Sequence, residues 1–287
     1  MRFPAILLYM TLAAAAQDSK MLTTTGQLAS MLNDKSLVLL HVGSDKDFAE
    51  GHIPGARLVR LADISVTGEG GLRMQLPPVA DLVKAFGRHG VTDTSRIVLY
   101  PAAESIQSAT RVWFTLDYLG VSERASLLDG GLMLWKADGR PVTTAAPPEA
   151  KETTFKTNPN PDVVVDAAWL AWRLGKPEMK LQLFDARTPE FYSGANAGGM
   201  PRAGHIPEAV NVPYPTLVAE DRKLKPATEL KSLLAAKADG PVVTYCHIGM
   251  QATVPYFVAR YLGYSARMYD GSFQDWSSRE ELPVVGK

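Results

Sequence analysis

The side chain best suited to chemistry in this sequence is Cys246, the only cysteine. A single cysteine cannot form a disulfide within the chain, so its thiol is either an inert buried group or a nucleophile. Residues 247–251 curl through a glycine at 249 before a stretch of helical spacing. A tight loop that leads into a helix points backbone N–H groups at its centre and stabilises an anion there. We therefore expect Cys246 to react as a thiolate.

The elements that must position this loop alternate along the chain. Short β-rich runs are almost continuous in apolar residues, which is typical of strands buried on both faces of a parallel sheet. Longer stretches between them carry apolar residues at helical spacing. This alternation predicts an α/β fold with open, mainly parallel sheets flanked by helices. The predicted strands are 37–42, 97–100, 181–184 and 242–245, and the predicted helices are 79–87, 110–119, 228–238 and 252–262.

Cys246 directly follows the predicted strand 242–245. Ligands in open α/β sheets bind at the carboxyl ends of strands, so the thiol lies where a functional site is expected. Pro255 falls in the first turn of the following helix, where its missing N–H costs nothing. The local sequence therefore agrees with a reactive cysteine loop between a strand and a helix.

The chain also repeats itself. The Gly-His-Ile-Pro segment at 51–54 recurs at 204–207, and the Asp-Gly pair at 129–130 recurs at 270–271, so the shift stays between 141 and 153 residues. Such a duplication predicts two related domains. The position that matches Cys246 is Pro101, and the first loop has nine residues to Ala109 against seven from Cys246 to Ala252. Only the second domain keeps a nucleophile.

We predict a first domain over residues 22–144 and a second over residues 162–287. The connector, residues 145–161, is rich in Pro, Thr, Ala and Asn, which favours an extended linker. Residues 1–16 carry one arginine, an apolar run and a small-residue cleavage site at Ala14 and Ala16. This pattern predicts a signal peptide and a periplasmic or secreted protein, rather than an apolar first helix of the fold.

Composition narrows the classes of partner. Thirty basic residues balance thirty acidic ones, which excludes a basic surface for nucleic acid and makes any anion site local. No later segment reaches the length of a membrane span. No residue spacing indicates a zinc site or a glycine-rich phosphate loop, so we expect no metal and no cofactor. We expect a monomer that acts on a small anionic molecule.

The second domain contains the segments Asp185-Ala186-Arg187, Gly204-His205-Ile206-Pro207, residues 209–213, the Tyr245-Cys246 loop, Tyr261-Leu262-Gly263, and Asp270-Gly271-Ser272 with Trp276. Together they resemble the tandem rhodanese family, over about residues 22–284. The resemblance implies transfer of sulfane sulfur from thiosulfate or 3-mercaptopyruvate to a thiophilic acceptor such as cyanide or a thiol, including a thiol on a protein. It also implies that Cys246 carries the sulfur as a persulfide and that the first domain is catalytically silent.

Arg187 ends the Asp185-Ala186-Arg187 segment at the carboxyl end of a predicted strand, and its guanidinium fork could hold the sulfonate or carboxylate of a sulfur donor, as the family's substrate arginine does. The alternative is an arginine that only pairs with Asp185 or Glu190. In the first repeat the matching residue is Gly43. The predicted donor-binding residues are Arg187, His247, Ile248, Gly249, Met250 and Gln251.

The loop leaves the preferred donor open, because His247 can donate a hydrogen bond whereas Ile248 cannot. An envelope location favours thiosulfate. Two other classes remain at this stage. A phosphatase of the Cdc25 type would need an arginine in the cysteine loop, and residues 247–253 contain none. A non-catalytic interaction or sulfur-carrier module is compatible with the sequence but leaves the cysteine loop less well explained.

Overall fold

The computed structural model describes residues 20–102, 105–147, 149–237 and 239–286. The predicted signal peptide, residues 1–16, lies outside the described residues. Within these ranges the chain forms two five-stranded sheets, one in each half, and every strand pair in both sheets is parallel. The predicted α/β fold with two related domains is therefore confirmed. No helix of the described residues is long and apolar enough to cross a membrane.

The first domain has the strand order β1-β5-β4-β2-β3, with its central strands buried. Crossover helices connect the parallel strands, as parallel pairing requires. Its elements are β1 (Leu22–Thr23), α1 (Thr25–Met31), β2 (Leu37–Val42), α2 (Asp45–Glu50), β3 (Arg57–Val59), α3 (Val79–Arg88), β4 (Arg96–Pro101), α4 (Gln107–Tyr118), β5 (Ala125–Leu128) and α5 (Gly131–Ala137).

The second domain repeats this topology with the order β6-β10-β9-β7-β8. The central strand β9 pairs with both β7 and β10, so its carboxyl end lies in the middle of the sheet edge. The elements are β6 (Val164–Val165), α6 (Ala167–Arg173), β7 (Gln182–Asp185), α7 (Pro189–Tyr192), β8 (Val210–Asn211), α8 (Ala227–Leu234), β9 (Val242–Tyr245), α9 (Thr253–Tyr261), β10 (Ala266–Tyr269) and α10 (Ser272–Ser278).

The predicted elements agree with the observed ones to within a few residues, with one larger error. The helix predicted over residues 228–238 ends at Leu234. Ala235 has a φ of +48°, in the left-handed region that ends a helix, and its N–H closes the last turn on the carbonyl of Lys231. Apolar spacing continues past this residue, so periodicity alone places the helix end too late.

The two domains share one apolar core through helices α4 and α9. The ring of Trp113 meets that of Phe257 edge-on at 4.8 Å, and Phe114 meets Tyr256 at 5.0 Å. Aromatic pairs of this geometry stabilise a contact beyond the area they bury. Asp117 adds a polar anchor that accepts a hydrogen bond of 2.5 Å from the Tyr256 hydroxyl. Helix α4 of the first domain is thereby fixed beside the helix that follows Cys246.

The connector follows the first domain closely. Residues 149–160 contain neither helix nor strand, and Phe155 is buried in the shared core. The carbonyl oxygen of Thr153 would lie 2.1 Å from a Cβ on Gly87, and that of Asn158 would lie 2.1 Å from a Cβ on Gly120. Only glycine permits backbone to approach this closely.

Candidate functional site

Cys246 lies in the first position after β9, and its side chain is fully buried. Its backbone N–H donates to the Ser272 hydroxyl at 3.2 Å, and its carbonyl accepts the N–H of Phe273 at 2.9 Å. Both partners belong to the start of α10. The cysteine backbone is therefore held between the end of the central strand and the first turn of a second helix.

The loop after the cysteine presents unpaired backbone donors. None of the N–H groups of residues 247–252 donates a hydrogen bond to any residue that the structure describes. Gly249 has a φ of +82°, which lets the chain curl, and helix α9 begins at Thr253. An anion held by the loop would accept hydrogen bonds from such unpaired N–H groups. The predicted loop residues His247, Ile248, Gly249, Met250 and Gln251 thus carry consecutive N–H groups without a described acceptor, and their role in donor binding stays a prediction.

Arg187 is buried and bound to a carboxylate. Its Nε donates to both carboxylate oxygens of Asp185, at 2.9 and 3.1 Å, and its Nη2 donates to Asp185 and to the Gly204 carbonyl. Nη1 has no hydrogen-bond partner among the described residues. Asp185 thus binds two nitrogens, Nε and Nη2, of the guanidinium fork that the sequence analysis assigned to an anionic sulfur donor. Only Nη1 is left for a further acceptor.

The charge of Arg187 is secure at this position. Burial disfavours the charged guanidinium, but hydrogen bonds to Asp185 and the charges of Asp185, Tyr245 and Cys246 raise the pKa of Arg187 above its ordinary value. The guanidinium carbon also lies 4.1 Å from the centroid of the Phe273 ring, and Phe273 is bonded to the cysteine carbonyl. A permanent cation therefore lies beside the cysteine loop.

His247 is half-buried, and its ring meets that of Phe191 edge-on at 4.6 Å. Burial and the nearby Arg187 charge lower the pKa of His247, so the imidazole is neutral near pH 7. Its Nε2 and the Oε1 of Gln251 are both buried without a hydrogen-bond partner in the described part of the chain. These two atoms could bind a polar ligand in the loop.

The sequences of the two domains match a single family. The rhodanese-like domain matches residues 24–138 and again residues 166–279, which together make up most of the chain. The chain belongs to the rhodanese family. The second match contains Cys246 and its loop, and the first contains Pro101 at the corresponding position.

Curated relatives resemble this rhodanese over most of their length. Thiosulfate sulfurtransferase of Azotobacter vinelandii is 30% identical over 264 residues, which cover 90% of this chain and 94% of the relative. 3-Mercaptopyruvate sulfurtransferase of Escherichia coli K12 is 31% identical over 245 residues, which cover 83% and 85%. The wild-type structure of EanB has the same fold, with a TM-score of 0.82 at 21% identity over 94% of this chain and 70% of EanB. This rhodanese is a sulfurtransferase.

The first rhodanese-like domain also contributes to the site, which sequence analysis missed. Arg111 of α4 is fully buried and donates to the Gly249 carbonyl at 3.1 Å and to Asp270 at 2.6 Å. The N–H of Arg73 donates to the Gln274 side chain at 3.0 Å, and the Gln274 N–H donates to the carbonyl of His247 at 2.9 Å. A signal was present, because Arg111 is a charged residue where the repeat has Val254 in α9.

Proposed function

We propose that this rhodanese transfers sulfane sulfur from thiosulfate to a thiophilic acceptor through a persulfide on Cys246. The observation that carries the proposal is the loop itself, in which the thiol follows the central strand and six consecutive backbone N–H groups have no acceptor among the described residues. Preorganised N–H groups stabilise charge that develops on a bound sulfur. The neighbouring cation of Arg187 adds to this stabilisation.

The reaction proceeds in two displacements at sulfur. The Cys246 thiolate attacks the outer sulfur of thiosulfate, a new S–S bond forms, and sulfite leaves with the electrons of the bond that breaks. The acceptor, cyanide or a thiolate, then attacks the outer sulfur of the persulfide. The acceptor leaves with that sulfur, and the electrons of the second S–S bond return to Cys246 as a thiolate. No external oxidant or reductant is needed.

The small size of the donor follows from the burial of the thiol, which has 0% of its surface exposed. Thiosulfate carries its charge next to the reacting sulfur, where the loop N–H groups and Nη1 of Arg187 are available. The neutral His247 supplies a hydrogen bond rather than a charge. A thiosulfate sulfurtransferase is also among the relatives that match most of the chain. An acceptor thiol on a protein is compatible with the same displacement.

Mass spectrometry of the protein after incubation with thiosulfate tests the proposal. We expect wild-type protein to gain the mass of one sulfur atom on Cys246 and to lose it when cyanide is added. Cys246→Ser should gain nothing, because a hydroxyl is scarcely ionised and cannot form a persulfide. Loading from 3-mercaptopyruvate but not from thiosulfate would identify a different donor, and transfer by the serine variant would contradict the mechanism.

We further propose that the protein is exported, on the basis of the signal-like pattern in residues 1–16. In an oxidising compartment cysteines usually form disulfides. The only cysteine of this sequence has no internal partner, so its thiol stays available for sulfur chemistry. The test is the N-terminal sequence of protein purified from its native cell envelope. We expect it to begin at Gln17, and retention of Met1 would contradict export by cleavage.

A further inference from the structure

One arginine of the first domain reaches the middle of the cysteine loop. Arg111 lies in α4 with none of its surface exposed. Its Nη1 donates to the Gly249 carbonyl at 3.1 Å and to the Asp270 carboxylate at 2.6 Å, and its Nη2 donates to the Met74 carbonyl. The guanidinium therefore joins the loop, the turn after β10 and a segment of the first domain.

The bond to Gly249 determines which way a loop N–H points. A trans peptide unit is planar, so its C=O and N–H point in opposite directions. With the Gly249 oxygen turned toward Arg111, the N–H of Met250 points away from Arg111. That N–H has no acceptor among the described residues. Arg111 thus holds the peptide between Gly249 and Met250 in an orientation that leaves the Met250 N–H without a described acceptor.

The next peptide is held in a similar way. The carbonyl of Met250 accepts the Thr253 hydroxyl at 2.7 Å and the Thr253 N–H at 3.2 Å, which turns the N–H of Gln251 in the opposite direction. The Thr253 hydroxyl lies 2.7 Å from the hydroxyl of Thr110, beside Arg111 in α4. Two successive peptides of the loop are therefore oriented next to the same helix of the first domain.

Close packing keeps the loop in this position. A Cβ on Gly249 would lie 2.8 Å from Oδ1 of Asp270 and 3.2 Å from Nη1 of Arg111, so the glycine sits directly against the ion pair. Asp270 is itself fixed, because its Oδ2 accepts the N–H of Leu76 at 3.2 Å. Arg111 and Asp270 are both buried, and each has a further hydrogen-bond partner in the first domain. This ion pair needs little rearrangement when charge develops in the loop.

We propose that Arg111 is a positioning residue for sulfur transfer: it fixes the Gly249–Met250 peptide so that the Met250 N–H faces the sulfur carried by Cys246. This inference rests on the persulfide function proposed above. Arg111 has no counterpart in the second domain, where the matching residue is Val254. The first domain, which lacks a nucleophile, thus supplies part of the active-site geometry.

Arg111→Lys is the main test, with Asp117→Asn as a matched control. Lysine keeps a charge for Asp270, but its single nitrogen cannot replace the two nitrogens that bind three partners. Asp117 lies in the same helix and binds Tyr256 and Arg260 across the same interface, and among the described residues no hydrogen bond or ion pair joins it to residues 246–252. Rates of sulfur loading from thiosulfate are measured in single turnovers over a range of concentrations, at a temperature where thermal unfolding shows each variant to be folded.

We expect Arg111→Lys to lower the maximal loading rate about tenfold to a hundredfold, because one misplaced N–H donor typically costs at least this much. The half-saturating thiosulfate concentration should change much less. Asp117→Asn should load at close to the wild-type rate even if its Tm falls as far. Equal loading rates in the two variants would overturn the inference and leave Arg111 a purely structural residue.

A second variant covers the case in which Arg111→Lys does not fold. Thr253→Val has nearly the same shape and removes the hydroxyl that holds the Met250 carbonyl, so it should lower the maximal loading rate severalfold. A wild-type rate in this variant would also overturn the inference. Failure of the wild-type protein to gain sulfur on Cys246 is a separate outcome, because it contradicts the persulfide function rather than the role of Arg111.

Discussion

The two domains share a framework but differ at the carboxyl ends of their central strands. In each, a tyrosine at the end of the central strand accepts the N–H of the isoleucine in the Gly-His-Ile-Pro segment at 3.1 Å. In each, a buried tryptophan donates to a proline carbonyl at 2.8 Å. These repeated contacts occur with and without a nucleophile, so they serve the fold rather than the chemistry.

The two domains differ at three matched positions near the ends of their strands and in the length of one loop. His41, Gly43 and Pro101 of the first domain match Asp185, Arg187 and Cys246 of the second, and the first loop is two residues longer. A Cβ on Gly43 would lie 2.5 Å from that of Ala102, which leaves no room for an arginine. The first domain therefore differs from the second in the cation and in the length of the loop as well as in the thiol.

The largest effect is expected for the loss of Cys246, which a thiol placed in the first domain should not restore. Pro101→Cys combined with Cys246→Ser should show no more sulfur transfer than Cys246→Ser alone, because the longer loop and the missing arginine do not stabilise a persulfide. Sulfur loading is measured by mass spectrometry after incubation with thiosulfate. A rate within tenfold of wild type would show that the thiol alone distinguishes the domains.

The second prediction replaces Asp185 and Arg187 with the matching residue types of the first domain, histidine and glycine. Asp185→His with Arg187→Gly removes both buried charges and should fold, while lowering kcat/KM for thiosulfate about tenfold to a hundredfold through loss of the nearby cation. The loss should appear in sulfur loading, and much less in transfer from a loaded persulfide to an uncharged thiol. Loading at the wild-type rate would show that Arg187 serves only to pair with Asp185.

Arg187→Ala is the informative partner of that double variant. It leaves the fully buried Asp185 without its cation, which should cost about 3–5 kcal/mol of stability. The double variant should lose much less stability, because no charge remains uncompensated. Chemical denaturation of both proteins measures the difference. Equal stability in the two would contradict a buried, mutually dependent pair.

The third prediction concerns stability at low pH and His41, the first-domain residue that matches Asp185. Burial lowers the pKa of His41 to about 4, with a contribution from His52. Because the folded state holds this histidine neutral, stability is full above pH 6.5 and falls as the pH drops from 6.5 to about 4, by about 3 kcal/mol. His41→Asn cannot titrate and keeps an acceptor for the Tyr100 hydroxyl. Its stability should fall less over this interval, and an equal fall would exclude His41 as the cause.

The smallest effect is expected for Arg73, an exposed cation of the first domain whose charge contributes to lowering the pKa of His247, after burial and Arg187. Arg73→Ala should raise the half-saturating thiosulfate concentration about two- to fivefold, since exposed charges contribute up to about 1 kcal/mol. The difference should shrink at high salt. A salt-independent change, or none, would contradict an electrostatic contribution.

The repeated motifs were sufficient to predict the two sheets and the position of Cys246 after a strand, because strand positions follow from local apolar patterns and the duplication indicates two domains. The buried state of Arg187 could not be predicted in the same way. Its buried pairing with Asp185 depends on the fold, which also brings the Gly204 carbonyl from a distant turn to the guanidinium. Sequence distance gives no measure of such burial.

Arg111 was harder still to identify. It lies in a helix whose neighbours are almost all buried, and only tertiary packing places its guanidinium against Gly249 and Asp270, more than a hundred residues away. A charged residue within an apolar helix face indicates a buried partner but not which one. The repeat comparison locates the anomaly, and the structure supplies its contacts.

The shared core through α4 and α9 has a consequence for biosynthesis. The apolar surface of α4, with Trp113 and Phe114, is complete once residue 118 has been made, but its cover includes Tyr256 and Phe257 of α9. At typical rates of translation the wait between the two helices is on the order of ten seconds. During that interval the newly made first domain displays an aromatic surface on the ribosome, which is the kind of surface that holding chaperones bind.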